Sequence, residues 1–268
     1  MTTKEKAAAL AAKEKYTFDD LVEIMEILRS EGGCPWDREQ DHKSIRDDFI
    51  EETYEVIEAI DTENPELLRE ELGDVMLQIV FHSRIEEESG SFCIDDVAND
   101  ICVKMIHRHP HVFGEISVDT SAQVLSNWEK IKSEEKSRKT VTQKLRSIPP
   151  MLPALMRATK VGKKASCFDF ENAEAVMDKL AEEMVEVSDA MAEQNEDAIE
   201  EEIGDLLLTV TSLCRKVGVN PETALNRATD KFIGRFEIIE NETISMGKDI
   251  NSMQMTELDE IWDRIKHK

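Results

Sequence analysis

Two acidic sets with the same internal spacing carry the strongest chemical signal in the chain. Glu51, Glu52, Glu55, Glu71 and Asp74 recur as Glu182, Glu183, Glu186, Glu202 and Asp205, each shifted by 131 positions. Each copy reads E-E-x-x-E, fifteen residues, then E-x-x-D. One copy alone is a weak signal, because 58 Asp+Glu in 268 residues produce such spacings by chance. Two copies in phase are much harder to produce that way. The i, i+3 pairs Glu52/Glu55 and Glu71/Asp74 each fall on one side of a helix. A short turn near Asn64-Pro65 makes the two helices antiparallel neighbours, so four carboxylates converge between them. Such a group repels itself unless a cation joins it. An all-oxygen ligand set favours Mg²⁺ or Mn²⁺ over zinc or copper. The competing reading is a solvated acidic face.

Basic and aromatic residues repeat as well. Lys104 and Arg108 stand at i, i+4, and so do Lys231 and Arg235; this shift is 127, because the first copy has four extra residues in the 84–94 loop. Trp128 and Lys132 match Trp262 and Lys266. In so acidic a chain, repeated cations at helical spacing suggest an anion held beside the metal. The alternative is ordinary ion pairing with neighbouring acids. Each tryptophan either covers a base or packs. Other motifs lead less far. His107, His109 and His111 lie near Cys102 in a zinc-like H-x-H-x-H, but Pro110 breaks the helix and the second copy has no counterpart, which reads as a structural turn. No phosphate-binding G-x-x-x-x-G-K-[ST] is present. Di-iron bundles use E-x-x-H where this chain has E-x-x-D.

The elements that must position these residues read as helices throughout. Thr17 caps a helix that ends near Gly32-Gly33; a second covers about 44–62; Asn64 with Pro65 opens a third that runs to about Gly90. Further helices are expected at about 95–107, 121–133, 171–193, 197–217, 221–245 and 256–266, with no alternating strand. The apolar stripe Ile45, Phe49, Thr53, Val56, Ile60 returns as Val176, Leu180, Met184, Val187, Met191. Likewise Leu72, Val75, Met76, Ile79 return as Ile203, Leu206, Leu207, Val210. Steps of three and four predict buried helix faces. The expected order is an extension over 1–15, a helical domain over 16–133, a basic and proline-containing linker with room for a helical part over 134–153 (Lys136, Arg138, Lys139, Lys144, Arg146; Pro149, Pro150, Pro153), and a second domain over 154–268.

Composition limits the partners. A net charge of −25 argues against polynucleotides and anionic membranes. Disorder is disfavoured, because 40% of residues are hydrophobic and recur with a period. Five cysteines without a C-x-x-C pair predict a reduced, cytoplasmic protein. The apolar run Ala7 to Ala12 is too short for a signal core, and no segment has the length of a membrane helix.

The two acidic motifs, the Lys-x-x-x-Arg helix, CPWDREQ (Cys34 to Gln40) and RHPHVFG (Arg108 to Gly114) together resemble the MazG family. The resemblance covers nearly all of the chain after Tyr16. It implies an all-α fold of two tandem copies, homodimers with helices of both subunits around the site, and Mg²⁺-dependent hydrolysis of a nucleoside triphosphate to monophosphate and pyrophosphate. By position, Glu183, Glu186, Glu202 and Asp205 look like metal ligands of the second copy. Lys179, Lys231 and Arg235 look like triphosphate contacts, with Trp262 and Lys266 closing the site. The first copy offers Glu52, Glu55, Glu71 and Asp74 for metal, with Lys104, Arg108, Trp128 and Lys132 around them. Two departures stand out: Asp48 occupies the place of Lys179, and His107 the place of a more usual basic residue. An anion beside a triphosphate weakens binding, so the second copy is expected to be the main site, with Glu182 or Glu183 as candidate general base. The alternative from another functional class is a non-catalytic helical dimer whose acidic faces dock a regulatory protein.

Overall fold

The computed structural model describes residues 2–135 and 140–266, the side chains of residues 129, 133 and 134 apart. The described residues hold helices and no strand. The chain divides into two compact units, with the boundary after Glu135.

The first unit contains α1 (Thr3–Ala11), α2 (Phe18–Arg29), α3 (Pro35–Glu39), α4 (Arg46–Asp61), α5 (Pro65–Ser89), α6 (Ile94–Arg108), α7 (Pro110–Phe113) and α8 (Ser121–Glu135). Its centre is the antiparallel hairpin of α4 and α5, against which α2 packs. Met25, Ile45, Val80 and Phe81 form the buried core, joined by Leu21, Val22, Leu77, Ile85 and Ile94. Arg29 fastens the α3 segment to this core. It donates to the carbonyls of Asp37 and Gln40 and to Glu88, and it stacks over Phe81 at 5.3 Å.

The second unit contains α9 (Val141–Arg146), α10 (Ala154–Lys164), α11 (Ala173–Ala192), α12 (Glu196–Lys216), α13 (Pro221–Ser245), a 3-10 turn (Ile250–Ser252) and α14 (Met255–Lys266). The α11–α12 hairpin repeats α4–α5; α10 packs on α12 and α13, and α14 on α13. Arg215 and Lys216 hold Asp169 ahead of α11, much as Arg29 holds the segment ahead of α4.

The hairpin turns are duplicated to the residue. Among the described residues, Glu63 and Gln194 are the non-glycine residues with positive φ, at 53° and 54°. In each turn the next amide reaches back to close the helix end, Asn64 to the Ala59 carbonyl at 3.1 Å and Asn195 to the Ala190 carbonyl at 3.4 Å. The asparagine then caps the following helix: Asn64 accepts from Glu66 and Leu67, and Asn195 from Ala198.

Several expectations need correction. The first expected helix ends at Arg29, short of Gly32-Gly33. The 1–15 segment contains α1, which packs on α2 and buries Leu10. The 134–153 stretch contains α9 and the buried Ile148; its residues 136–139 lie outside the described residues. The helix α10 had no counterpart in the sequence reading, because the prolines before it read as linker. The apolar stripes are only partly buried within one chain. Ile45 and Val176 are enclosed at 1% and 0% exposure, but Ile60, Leu72, Met76, Met184, Met191, Ile203 and Leu207 are open to solvent.

A left-handed residue with a Cβ is strained by about 1–2 kcal/mol. Glu63→Gly and Gln194→Gly are therefore each expected to raise stability, by up to about 1 kcal/mol after the entropic loss of glycine. Urea unfolding measures this. A lower midpoint for both variants would contradict the strained-turn reading.

Candidate active site

Each hairpin gathers three carboxylates. One oxygen each from Glu52, Glu55 and Glu71 lies within 4.8 Å of the others, and Glu183, Glu186 and Glu202 repeat the arrangement. The i, i+3 spacing on α4 and α11 supplies two of each trio, and the facing helix supplies the third. Asp74 and Asp205, expected as fourth ligands, stand outside the trios. They are near enough to add repulsion: burial raises the pKa values of Glu52, Glu71 and Glu202, with Asp74 contributing to the first two and Asp205, after Glu186, Glu183 and Glu201, to the third.

The trios differ in how their charge is balanced. In the first copy, burial pushes Glu71 up to about 7, helped by a hydrogen bond with Glu55 that needs a shared proton and by the charges of Glu55 and Asp74. Burial likewise raises Glu52, with Asp74, Glu55, Glu51 and Asp48 adding repulsion. In the second copy, Lys179 lies 2.7 Å from Glu182, 2.9 Å from Glu183 and 3.6 Å from Glu186. Hydrogen bonds to Glu182 and Glu183 hold its ammonium well above the ordinary lysine range. Asp48 gives the first copy no such cation. Even so, Glu183, at 3% exposure, keeps Oε2 buried without a hydrogen-bond partner. A buried anionic oxygen with nothing to bond is costly unless a cation or donor completes it. The donor set and this orphaned atom fit a hard divalent cation such as Mg²⁺ or Mn²⁺.

The repeated cations and tryptophans cluster on other helices. Arg108, 7% exposed, sits over Trp128 at 5.3 Å, and the Lys132 ammonium lies 4.4 Å from the same ring. Arg235 sits over Trp262 at 5.5 Å, with Phe232 beside that ring at 5.4 Å. Both tryptophans therefore stack on cations within their own unit. Lys104, Lys231 and Lys266 are exposed. Of the histidines, His107 bonds Glu135 at 2.9 Å, and His109 meets the Met105 carbonyl at 2.6 Å.

Sequence reading missed two groups beside the hairpin of the first unit. His42 bonds His82 at 2.8 Å and Glu86 at 2.8 Å, tying the start of α4 to α5. Gln78 is buried on α5, and its place seven residues after Glu71 was the available signal.

Arg108 and His107 donate to Glu135, and these bonds hold its carboxyl down at about 2. A depressed carboxylate pKa adds stability above the unfolded value of 4.5, and this is lost as pH falls through the folded value. Amides of α8 are therefore expected to exchange faster as pH drops from about 4.5 towards 2, beyond the intrinsic pH effect. Glu135→Gln should lose this increment; an unchanged profile in the variant would remove Glu135 as its source.

Comparisons with known proteins agree with this geometry. The sequence profile described as MazG nucleotide pyrophosphohydrolase domain matches residues 40–113 and 171–238, which contain the two trios. The chain is 43% identical over 251 residues to the nucleoside triphosphate pyrophosphohydrolase/pyrophosphatase MazG of Thermotoga maritima, covering 93% of this chain and 95% of that protein. It is 40% identical over 255 residues to the nucleoside triphosphate pyrophosphohydrolase of Escherichia coli K12, covering 92% and 96%. A similarly named protein of Mycolicibacterium smegmatis is 42% identical over 144 residues, 53% of this chain and 44% of that protein. With two profile matches on the two hairpins and relatives aligned along nearly its whole length, the chain belongs to the MazG nucleotide pyrophosphohydrolase family.

Proposed function

We propose that this protein hydrolyses nucleoside triphosphates, ribo or deoxy, to the monophosphate and pyrophosphate in a Mg²⁺-dependent reaction, and that it serves nucleotide-pool housecleaning or a stress response. The observation that carries this reading is the twice-built carboxylate trio with the orphaned Glu183 oxygen. The names of the aligned relatives support the reaction class. Glu183, Glu186 and Glu202, with Asp205 one turn on, would hold the metal; it would neutralise phosphate oxygens and lower the pKa of a bound water. Glu182 or Glu183 accepts the proton of the attacking water. Lys231 and Arg235, with Lys179, stabilise charge on the leaving pyrophosphate. Lys179 now neutralises carboxylates; with a divalent cation taking over that role, its ammonium would be free to face phosphate oxygens. The second copy is the main site because Lys179 stands where the first copy has Asp48.

The same reading includes a homodimer. Exposed apolar residues continue along both hairpins, with Met184 at 64%, Met191 at 60% and Leu207 at 51% exposure. A row of this kind marks an interaction face. Five free cysteines suit a reducing compartment such as the cytoplasm.

Pyrophosphate release from a panel of NTPs and dNTPs, with and without Mg²⁺, tests the function. Glu183→Ala is expected to lower kcat by at least about 100-fold, whereas Glu52→Ala leaves most turnover. Full activity in Glu183→Ala sinks the second-copy assignment. No metal-dependent turnover with any nucleotide sinks the hydrolase reading and favours a docking protein. Sedimentation tests the dimer: Leu207→Asp together with Met184→Asp is expected to yield monomers, and an unchanged mass removes that face from the interface.

A further inference from the structure

A second unexplained polar atom lies in the hairpin of the first unit. Gln78 is 7% exposed, and its Oε1 is buried with no hydrogen-bond partner. Among the described residues, only Glu183 Oε2 shares that condition. Leaving an amide oxygen unsatisfied in this way is unfavourable, and an apolar side chain of the same shape would avoid the loss.

The position of Gln78 relates it to the carboxylates. It follows Asp74 by four residues and Glu71 by seven, so it lies on the same face of α5 as both. Helical rise places it about 10 Å along the axis from Glu71. On the facing helix, Glu55 meets Glu71, and the Phe49 ring packs edge-on against His82 at 5.8 Å. Along α5, Gln78 falls between the residues that make these two contacts, Glu71 and His82. An offset of this size separates the phosphates of a nucleotide from its sugar and base.

The second copy does not repeat the feature. Thr209 occupies the matching place. The second copy thus has a hydroxyl in this layer, and the first an amide acceptor that suits a neutral N–H or O–H donor.

We propose that Gln78 is a specificity-determining residue of the first copy, accepting a hydrogen bond from a base N–H or a sugar hydroxyl of a nucleotide whose phosphates lie at the Glu52–Glu55–Glu71 trio. This rests on the metal-dependent nucleotide reading above and extends it: the two copies select nucleotides differently because this layer differs. Gln78 positions its ligand and exchanges no proton or covalent bond with it.

The test uses the full chain carrying Glu183→Ala, with and without Gln78→Met, and with Glu52→Ala added as the control that reports any binding left at the second copy. Nucleotide binding in Mg²⁺ is measured by calorimetry for the four NTPs, their 2′-deoxy counterparts and purine riboside triphosphate, which lacks the adenine amino group. One donor-bearing ligand is expected to bind on the order of tenfold more tightly than its donor-free analogue, and Gln78→Met should erase that ratio. Loss of the ratio in the base series assigns the contact to the base; loss in the deoxy series assigns it to the sugar. The ligand-free melting temperature of Gln78→Met should equal or exceed that of its parent, since no internal bond is removed. Unchanged ratios, absence of any nucleotide binding to the Glu183→Ala chain, or a melting temperature several degrees lower would each overturn the proposal. Pyrophosphate release by the wild-type chain is scored separately: its presence keeps the hydrolase reading even when Gln78 fails, and its absence removes both.

Discussion

Mutual repulsion of carboxylates between two antiparallel helices is the constraint around which each half of this protein is organised. Three glutamates within 4.8 Å of one another oppose folding unless their charge is answered. The halves answer differently. In the first, burial and the neighbouring carboxylates push Glu71 up to about 7, so that it holds its proton more readily than an ordinary glutamate. In the second, Lys179 answers by spanning Glu182, Glu183 and Glu186. The second answer leaves a gap, since Glu183 keeps a bare buried oxygen. A buried anionic oxygen of this kind is costly without a donor or cation.

The rest of the fold keeps the two helices in register despite the repulsion. Matched left-handed turns at Glu63 and Gln194 fix the hairpins, and the asparagine caps that follow start the second helix of each at the same phase. Arginines brace the segments ahead of α4 and α11 against α5 and α12: Arg29 through Glu88 and two carbonyls, Arg215 through Asp169. Apolar packing does less than the sequence suggests, because much of each hairpin's stripe stays uncovered in a single chain. The uncovered apolar residues and the carboxylate trios thus share the same pair of helices in each unit.

Duplication let the copies diverge at a few positions while the frame held. Lys179 stands where the first copy has Asp48, and Thr209 where it has Gln78. The turns and caps are the same on both sides of these differences. The cation–tryptophan clusters on α6 with α8 and on α13 with α14 are retained in both copies, which keeps basic side chains on helices separate from the acidic hairpin.

The sequence by itself determined the helical class and the two hairpins, and it narrowed the acidic candidates to matched sets on facing helices, because i, i+3 spacing and a phased repeat are local properties that survive without knowledge of packing. Asn64-Pro65 and Gly90 marked helix ends for the same reason. Tertiary structure alone decided which carboxylates gather and which stand aside, since Asp74 and Asp205 satisfy the spacing but not the distance. It also decided that Lys179 bridges three acids, that Gln78 and Glu183 hold unpartnered oxygens, and that α10 packs on α12 and α13 where prolines suggested a linker. Spacing states which side of a helix a residue occupies. Burial, charge balance and the reach of a side chain across to another helix depend on the neighbours, and those are set only when the chain closes on itself.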